Sequence, residues 1–176
     1  SDYSLKYLLI ILNSSLISFF YIRRAVKGNR NLFPKVVAED LKNLPIPKIP
    51  PTAQLPLIEK ADKMLSLHKT FQEKKTEFIE WVKSEFAVTE ISNKLDSFYK
   101  LDFDELKKEL KKKMPKEKEL GPKEIGSLKK YYEEYKTELV SLDNEINQTD
   151  LAIDGMVYEL YGLTKEEKDI IKGIGN

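Results

Sequence analysis

The sequence predicts a mainly α-helical protein: a long antiparallel two-helix coiled-coil hairpin, preceded by a small α/β part at the N-terminus. Two long segments predict the hairpin, because each repeats its apolar residues at alternating steps of four and three. A cluster of prolines before the first segment excludes a continuous helix there. These are Pro45, Pro47, Pro50 and Pro51. We therefore divide the chain into residues 1–50 and residues 51–176, with Thr52 as a candidate N-cap of the first long helix.

The charge of the chain is unevenly distributed. The 176 residues are 34% charged, above the roughly 25% of ordinary globular domains, which favours long solvated helices. The net charge of +1 hides a basic N-terminal part, since residues 1–35 contain six basic residues and a single acid. Such a part suggests a surface for an anion, and a solvated loop is an equally consistent interpretation.

The composition argues against most kinds of catalytic site. There is no cysteine, and His68 is the only histidine, which excludes disulfides and Cys-based metal sites and disfavours a His-driven triad. No glycine-rich phosphate loop, Walker motif or Gly-x-Ser-x-Gly sequence is present. The sequence therefore disfavours an independent hydrolase and predicts a non-catalytic chain.

The first 26 residues predict two short buried helices, over residues 4–12 and Leu16–Val26. Asn13-Ser14-Ser15 separates them, because Asn and Ser prefer helix caps to helix interiors. The same polar residues interrupt the apolar run, so we predict no membrane span. The apolar opening without an initiator Met indicates a piece of a longer protein.

The next segment predicts the α/β part. Residues 28–31 read as a turn, and Phe33–Val37 as an extended segment. Ala38–Leu41 reads as a single helical turn, and Leu44–Pro47 as a second extended segment.

The first long helix is predicted from about Thr52 to Phe86, with one apolar seam. Its seam positions are Leu57, Ala61, Met64, His68, Phe71, Lys75, Phe78 and Val82. Because His68 falls on the seam, we expect a partly buried, hydrogen-bonded histidine rather than a switch or ligand. Trp81 is expected to pack between helices rather than to serve as a binding platform.

Residues 87–120 form a connector. Asp102 and Glu105 are spaced as a capping box for a helix over Phe103–Met114. This helix carries Lys107, Lys108, Lys111, Lys112 and Lys113. Acids are interleaved with these lysines, so a solvated helix face with local ion pairs is favoured over a nucleic-acid patch.

The second long helix follows Gly121-Pro122 and repeats the seam pattern. Its seam positions are Leu128, Tyr132, Tyr135, Leu139, Leu142, Ile146, Thr149, Ile153, Met156 and Leu160. Two matching seams favour an antiparallel hairpin, and a parallel coiled coil between two chains is the alternative. Gly162 is predicted to end this helix, and Thr164 with Glu167 to open a short last helix through Ile171.

Three segments resemble one known family, the TaqI-like C-terminal specificity domain of type IIG restriction–modification enzymes, related to type I specificity subunits. Tyr7–Tyr21 looks like the apolar Asn-Ser-containing helix late in target-recognition domains. Phe33–Pro47 is similar to the exit of those domains, and Ile153–Glu167 resembles the ending that follows their spacer helix.

The resemblance implies a role in DNA sequence recognition. Residues 1–50 would be the C-terminal part of a target-recognition domain, and residues 51–176 a helical spacer with a connector helix and a short terminal helix. The parent would be a cytoplasmic adenine-N6 DNA methyltransferase, possibly fused to an endonuclease, that uses S-adenosylmethionine and Mg²⁺. The fragment itself would bind no cofactor or metal, would be monomeric, and would partner double-stranded DNA and the catalytic domains of the parent, with no membrane contact.

The candidate DNA contacts are basic residues of the N-terminal part, assigned to phosphates rather than bases. They are Arg23, Arg24, Lys27, Arg30 and Lys35. Lys27 and Arg30 are the stronger candidates because they lie on a predicted loop, whereas the pair Arg23-Arg24 is also explained by the helix dipole. The rival interpretation is a structural coiled-coil module that binds protein without DNA contact.

Overall fold

The computed structural model describes residues 3–26 and 42–173, and these parts of the chain are mainly helical. The elements are α1 (Leu5–Asn13), α2 (Ser15–Val26), α3 (Pro51–Phe86), α4 (Asn93–Asp96), a 3₁₀ turn (Phe98–Lys100), α5 (Phe103–Lys111), α6 (Pro122–Leu160) and α7 (Lys165–Lys172). The prediction of a mainly α-helical protein with two long helices is confirmed.

The predicted α/β part is not supported. No strand occurs in residues 3–26 or 42–173, and Leu44–Pro47 is irregular rather than part of a sheet. Pro45 and Pro47 have no backbone N–H, so this segment cannot complete a strand ladder. The predicted turn at residues 28–31, the extended Phe33–Val37 and the helical turn at Ala38–Leu41 lie outside the described residues.

The chain forms two compact units. The first combines the chain up to Leu65 with the chain from Gln148 onward, and the second is Ser66–Asn147. The helices α3 and α6 each contribute one part to each unit. This division differs from the sequence domains 1–50 and 51–176, which stay a prediction.

In the first unit, α1 and α2 form as the sequence predicts, with Ser14 as the break between them. Ser4 caps α1, and the Ser14 N–H closes its end on the Ile11 carbonyl. The core of this unit is built from α1, α2, the segment around Leu44, and the unit's parts of α3 and α6. Its buried residues are Tyr7, Ile10, Ile11, Ile17, Leu44, Leu57, Ala61, Ile153 and Val157.

Among the described residues, no single helix is long and apolar enough to cross a membrane, although the pair Leu5–Asn13 and Ser15–Arg23, bent by 59°, passes that test when taken together.

In the second unit, α3 and α6 run in opposite directions. The Lys74 ammonium lies 3.3 Å from a Glu138 carboxylate oxygen. One turn further along α3, the Tyr135 hydroxyl donates to Glu77 at 3.2 Å. Residue numbers rise along α3 as they fall along α6, which is the order of contacts in an antiparallel pair.

Trp81 continues this series of contacts between α3 and α6. Its ring centroid lies 4.5 Å from that of Tyr131 and 5.5 Å from that of Phe86. The expected packing role of Trp81 is therefore confirmed.

The seam of α3 is correct at its apolar positions and wrong at the histidine. Leu57, Ala61, Phe71, Phe78 and Val82 are all buried. His68 is exposed, however, and the residue before it, Leu67, is buried in its place. The buried position moves from His68 to Leu67 because burying a leucine side chain is favourable. Burying an imidazole would remove its polar nitrogens from water.

Lys75 is the other polar residue on the predicted seam, and its partner lies in the connector. Its ammonium lies 2.5 Å from a carboxylate oxygen of Asp96 in α4, and only 17% of its side chain is exposed. This charge-assisted hydrogen bond compensates for the partial burial of the charge.

The seam of α6 is confirmed throughout, since none of its ten predicted positions is exposed. The helix then ends at Gly162, which has a φ of +66°. The N–H of Gly162 bonds the Glu159 carbonyl, and the N–H of Leu163 bonds that of Tyr158. This is a Schellman cap, which requires the left-handed conformation that glycine adopts without strain.

Both predicted capping boxes are present. Asp102 and Glu105 bond each other's backbone N–H groups at the start of α5, as do Thr164 and Glu167 at the start of α7. However, α5 ends at Lys111 rather than at the predicted Met114. Lys112 and Lys113 form a turn after the helix. The Met114 N–H then donates a hydrogen bond to the Leu110 carbonyl at 3.0 Å.

Candidate nucleic-acid interface

The structure locates only part of the predicted phosphate-contacting set. Arg23 lies near the end of α2 and is exposed, with its guanidinium carbon 5.4 Å from the centre of the Phe19 ring. Arg24 follows it within α2. Lys27, Arg30 and Lys35 lie outside the described residues. The five residues therefore stay a predicted set.

The start of α2 is held by polar contacts from α6. The backbone N–H of Ser15 donates to a carboxylate oxygen of Asp154 at 2.9 Å. The Ser15 hydroxyl also shares a hydrogen bond of 2.5 Å with the Tyr158 hydroxyl. Asp154 thus places a negative charge at the helix N-terminus, where the helix dipole favours it. Burial raises the pKa of Tyr158, while the bond to Ser15 opposes that rise, so its hydroxyl stays protonated and able to donate.

The proline segment is held by two tyrosines. The Tyr7 hydroxyl donates to the Pro47 carbonyl, and the Tyr161 hydroxyl donates to the Pro45 carbonyl, both at 2.8 Å. Burial is the largest cause that raises the pKa of both groups, and for Tyr161 the value reaches about 12. Both hydroxyls are therefore donors throughout the neutral range.

Gln54 fixes the same segment from the start of α3. Its side chain is 1% exposed. Its amide oxygen accepts from the Ser4 N–H at 2.9 Å, and its amide nitrogen donates to the Ile49 carbonyl at 3.2 Å. A buried amide with both ends bonded contributes stability, whereas either end left unpaired would cost about 1–3 kcal/mol.

These contacts hold the chain on both sides of residues 27–41. On one side α2 is fixed at Ser15, and on the other the segment from Pro45 to Ile49 is fixed by Tyr7, Tyr161 and Gln54.

The sequence pattern contained part of this arrangement. Asp154, Tyr158 and Tyr161 all lie in the segment Ile153–Glu167 that carries the family resemblance, although their bonding roles are visible only in the structure. Gln54 gave no sequence signal, since a glutamine near a helix N-terminus is ordinarily solvated.

No group of three or more His, Cys, Asp or Glu side chains in residues 3–26 and 42–173 is placed to hold a metal ion.

The comparisons with known families divide the chain into two parts. Residues 1–46 match the family described as the TaqI-like C-terminal specificity domain, which confirms the resemblance seen in the sequence. Residues 50–157 match the model of a second family, described as a domain of unknown function (DUF8810). Because that match covers more than half of the sequence, the chain belongs to this family. Neither the curated proteins nor the solved structures provide a significant match.

Proposed function

We propose that the chain serves in DNA sequence recognition as the recognition and spacer part of a restriction–modification enzyme. The match of residues 1–46 to a specificity domain is the observation that carries this proposal. The basic character of residues 1–35 supports it, since DNA recognition depends on cations that neutralise phosphates.

The chain contributes binding and spacing rather than chemistry. In this proposal the parent is an adenine-specific methyltransferase of the type IIG class, with or without a nuclease domain, that acts in the cytoplasm. S-adenosylmethionine and Mg²⁺ would be held by the catalytic domains of that parent. The antiparallel coiled-coil pairing of α3 and α6 would set a fixed distance between the recognition part and those domains, because two mutually packed helices are stiffer than a loop.

A second candidate function is a structural coiled-coil module that binds protein without DNA contact. The unexposed seam of α6 is as consistent with this candidate as with the recognition and spacer function, because both need two packed helices. DNA affinity distinguishes the two candidates. If the chain contacts phosphates, the logarithm of its affinity for duplex DNA falls linearly with the logarithm of salt concentration. If it binds no duplex at low salt, the result favours the structural module.

The predicted phosphate contacts can be tested in the intact parent by changing Lys27 and Arg30 together to alanine. We expect weaker binding to all duplex sequences alike, with a salt slope reduced by about 0.9 for each phosphate that is no longer neutralised. Lys165 and Lys172 changed together to alanine provide a control with the same loss of charge. An effect confined to one DNA sequence would contradict the phosphate role, because it would indicate base reading.

The proposed monomer can be tested by light scattering over a tenfold range of concentration. A mass near 20.5 kDa at all concentrations is expected if the seams pair within one chain. A concentration-dependent dimer would show that the seams pair between chains.

A further inference from the structure

A second basic surface lies in the connector, outside the match to the specificity domain. It consists of Lys108 and Lys111 on α5 and of Lys116 and Lys118 in the turn that follows, and we call it the lysine turn. All four side chains belong to exposed residues. The sequence alone favours a solvated helix face here, because acids alternate with the lysines along α5.

The ion pairs of α5 show which lysines the acids neutralise. Asp104 binds the Lys107 ammonium at 2.7 Å, and Glu109 binds that of Lys112 at the same distance. The hydrogen bond from each lysine is the largest cause that lowers the pKa of its carboxyl partner. Lys113 is paired in turn with Glu90 at 3.5 Å.

The remaining charge belongs to the lysine turn. Within residues 3–26 and 42–173, Lys108, Lys111 and Lys116 make no ion pair. The dipole of α5 accounts for lysines in its last turn, which include Lys108 and Lys111. It does not account for Lys116, which lies beyond the end of the helix and next to the exposed Glu117.

The lysine turn is built on a rigid base. Leu110 is fully buried and Met114 is 9% exposed, and both belong to the core of the second unit. The N–H of Lys118 closes a turn on the Pro115 carbonyl at 3.0 Å, and its ammonium donates to the Glu85 carbonyl. A charged side chain on a fixed backbone loses less entropy when it binds than one on a loose loop.

A cavity opens at this turn. Its volume is about 400 Å³, and its walls include Lys111, Lys116 and Lys118 together with Glu119. Three lysines and a single glutamate among the lining residues give this surface an excess of positive formal charge. Such a concave basic surface attracts an anion more strongly than isolated lysines do, because it concentrates the field.

We propose that the lysine turn binds the backbone phosphates of duplex DNA and forms a second, sequence-independent contact. This inference rests on the proposed role in DNA recognition, which supplies the phosphates. The contact would lie in the part of the chain that belongs to the family of unknown function, and it would add affinity without adding sequence preference.

The test measures the affinity of the 176-residue chain for a labelled duplex by fluorescence anisotropy at several salt concentrations. The variant changes Lys108, Lys111 and Lys116 to glutamine. The matched control changes Lys130, Lys165 and Lys172 to glutamine, which removes the same charge from exposed lysines that make no ion pair with another described residue. Circular dichroism of both variants verifies that the helices remain folded.

The expected result is binding weakened by about tenfold or more in the lysine-turn variant, with a salt slope reduced by about 0.9 for each phosphate that the variant no longer neutralises. The reduction should be the same for unrelated duplex sequences, and the control should change little. Equal losses of affinity in the two variants would overturn the proposal, because they would show only the effect of net charge.

The other outcomes separate this inference from the proposed function. If the unaltered chain binds duplex DNA and the lysine-turn variant binds it equally well, the lysine turn does not touch DNA, and the proposed function stands. If the unaltered chain does not bind duplex DNA at low salt, both proposals fail. If inorganic tripolyphosphate binds the unaltered chain as tightly as the duplex does, the site is one for small anions and not for DNA.

Discussion

Replacing Leu139 by aspartate should unfold the second unit. Leu139 lies on α6 with a side chain that is 0% exposed, in the same core as Phe71 and Phe78. Truncating a buried leucine to alanine costs about 2–5 kcal/mol, and burying an unpaired carboxylate costs several kcal/mol more. The sum is comparable to the whole stability of an ordinary domain, about 5–15 kcal/mol.

The neighbouring residue provides the control. Val140 is 39% exposed, so Val140→Asp introduces the same charge into the same helix without burying it. It should change the free energy of unfolding by about 0.5 kcal/mol, as surface substitutions usually do. Ile146→Asp, at a half-buried seam position, should fall between the two.

Urea unfolding followed by far-UV circular dichroism measures these differences. We expect Leu139→Asp to lose much of its helical signal before urea is added, and Val140→Asp to retain it. If both variants unfold at the same urea concentration as the unaltered chain, Leu139 does not lie on a buried seam and the packing assigned to α6 is wrong.

Three further substitutions test contacts outside the α6 seam. Asp96→Asn should lower the free energy of unfolding by about 1 kcal/mol, because it breaks the ion pair with the half-buried Lys75. Glu138→Gln breaks an exposed ion pair in the same unit and should lower the free energy of unfolding much less. Equal decreases for the two variants in urea unfolding would contradict the role of Lys75. Tyr161 has a pKa of about 12 in the folded chain and about 10 when unfolded, so it stabilises the fold below about pH 10, and that contribution is lost as the pH rises towards about 12. Tyr161→Phe should therefore make the melting temperature fall less steeply between those pH values, and an unchanged slope in thermal melts would refute its contribution.

The features that the sequence predicts well are those determined locally. The two capping boxes and the Schellman cap depend on residues within six positions of one another. Each cap is present at the residues where the sequence pattern predicts it. The seam of α6 was equally predictable, since ten successive seam positions repeat the heptad spacing. A single weak position cannot shift so long a pattern.

The seam of α3 was less predictable because it contains polar positions. His68 fits the heptad spacing, yet Leu67 is buried instead, and only the energy of burial decides between neighbouring residues. Lys75 is compatible with the seam through Asp96, a partner 21 residues away on a different helix. No local pattern indicates that pairing, so the sequence could identify the interruption but not its reason.

The basic charge of the candidate interface could be predicted from the sequence, but the hydrogen bonds that hold its neighbouring elements could not. Basic residues in a short segment are visible in any sequence, whereas the bond from Ser15 to Asp154 joins residues 139 positions apart. Such contacts are set by the packing of whole helices and carry no signature in spacing. The same holds for the lysine turn, where only the geometry shows which lysines of α5 are paired.

The two family matches meet between residues 46 and 50, but the hydrogen bonds of the first unit do not divide there. Ser4, within the specificity match, donates to Gln54 of the second match. Tyr161, which follows the end of the second match, donates its hydroxyl to the Pro45 carbonyl across 116 residues. The N-terminal helices thus share their core with the ends of the two long helices. A displacement of the proline segment would break its hydrogen bonds to Gln54 and Tyr161, so the segment that matches the specificity domain is physically connected to the helical part at this point. Under the proposed recognition and spacer function, that connection would hold a position on DNA relative to a site at a fixed distance.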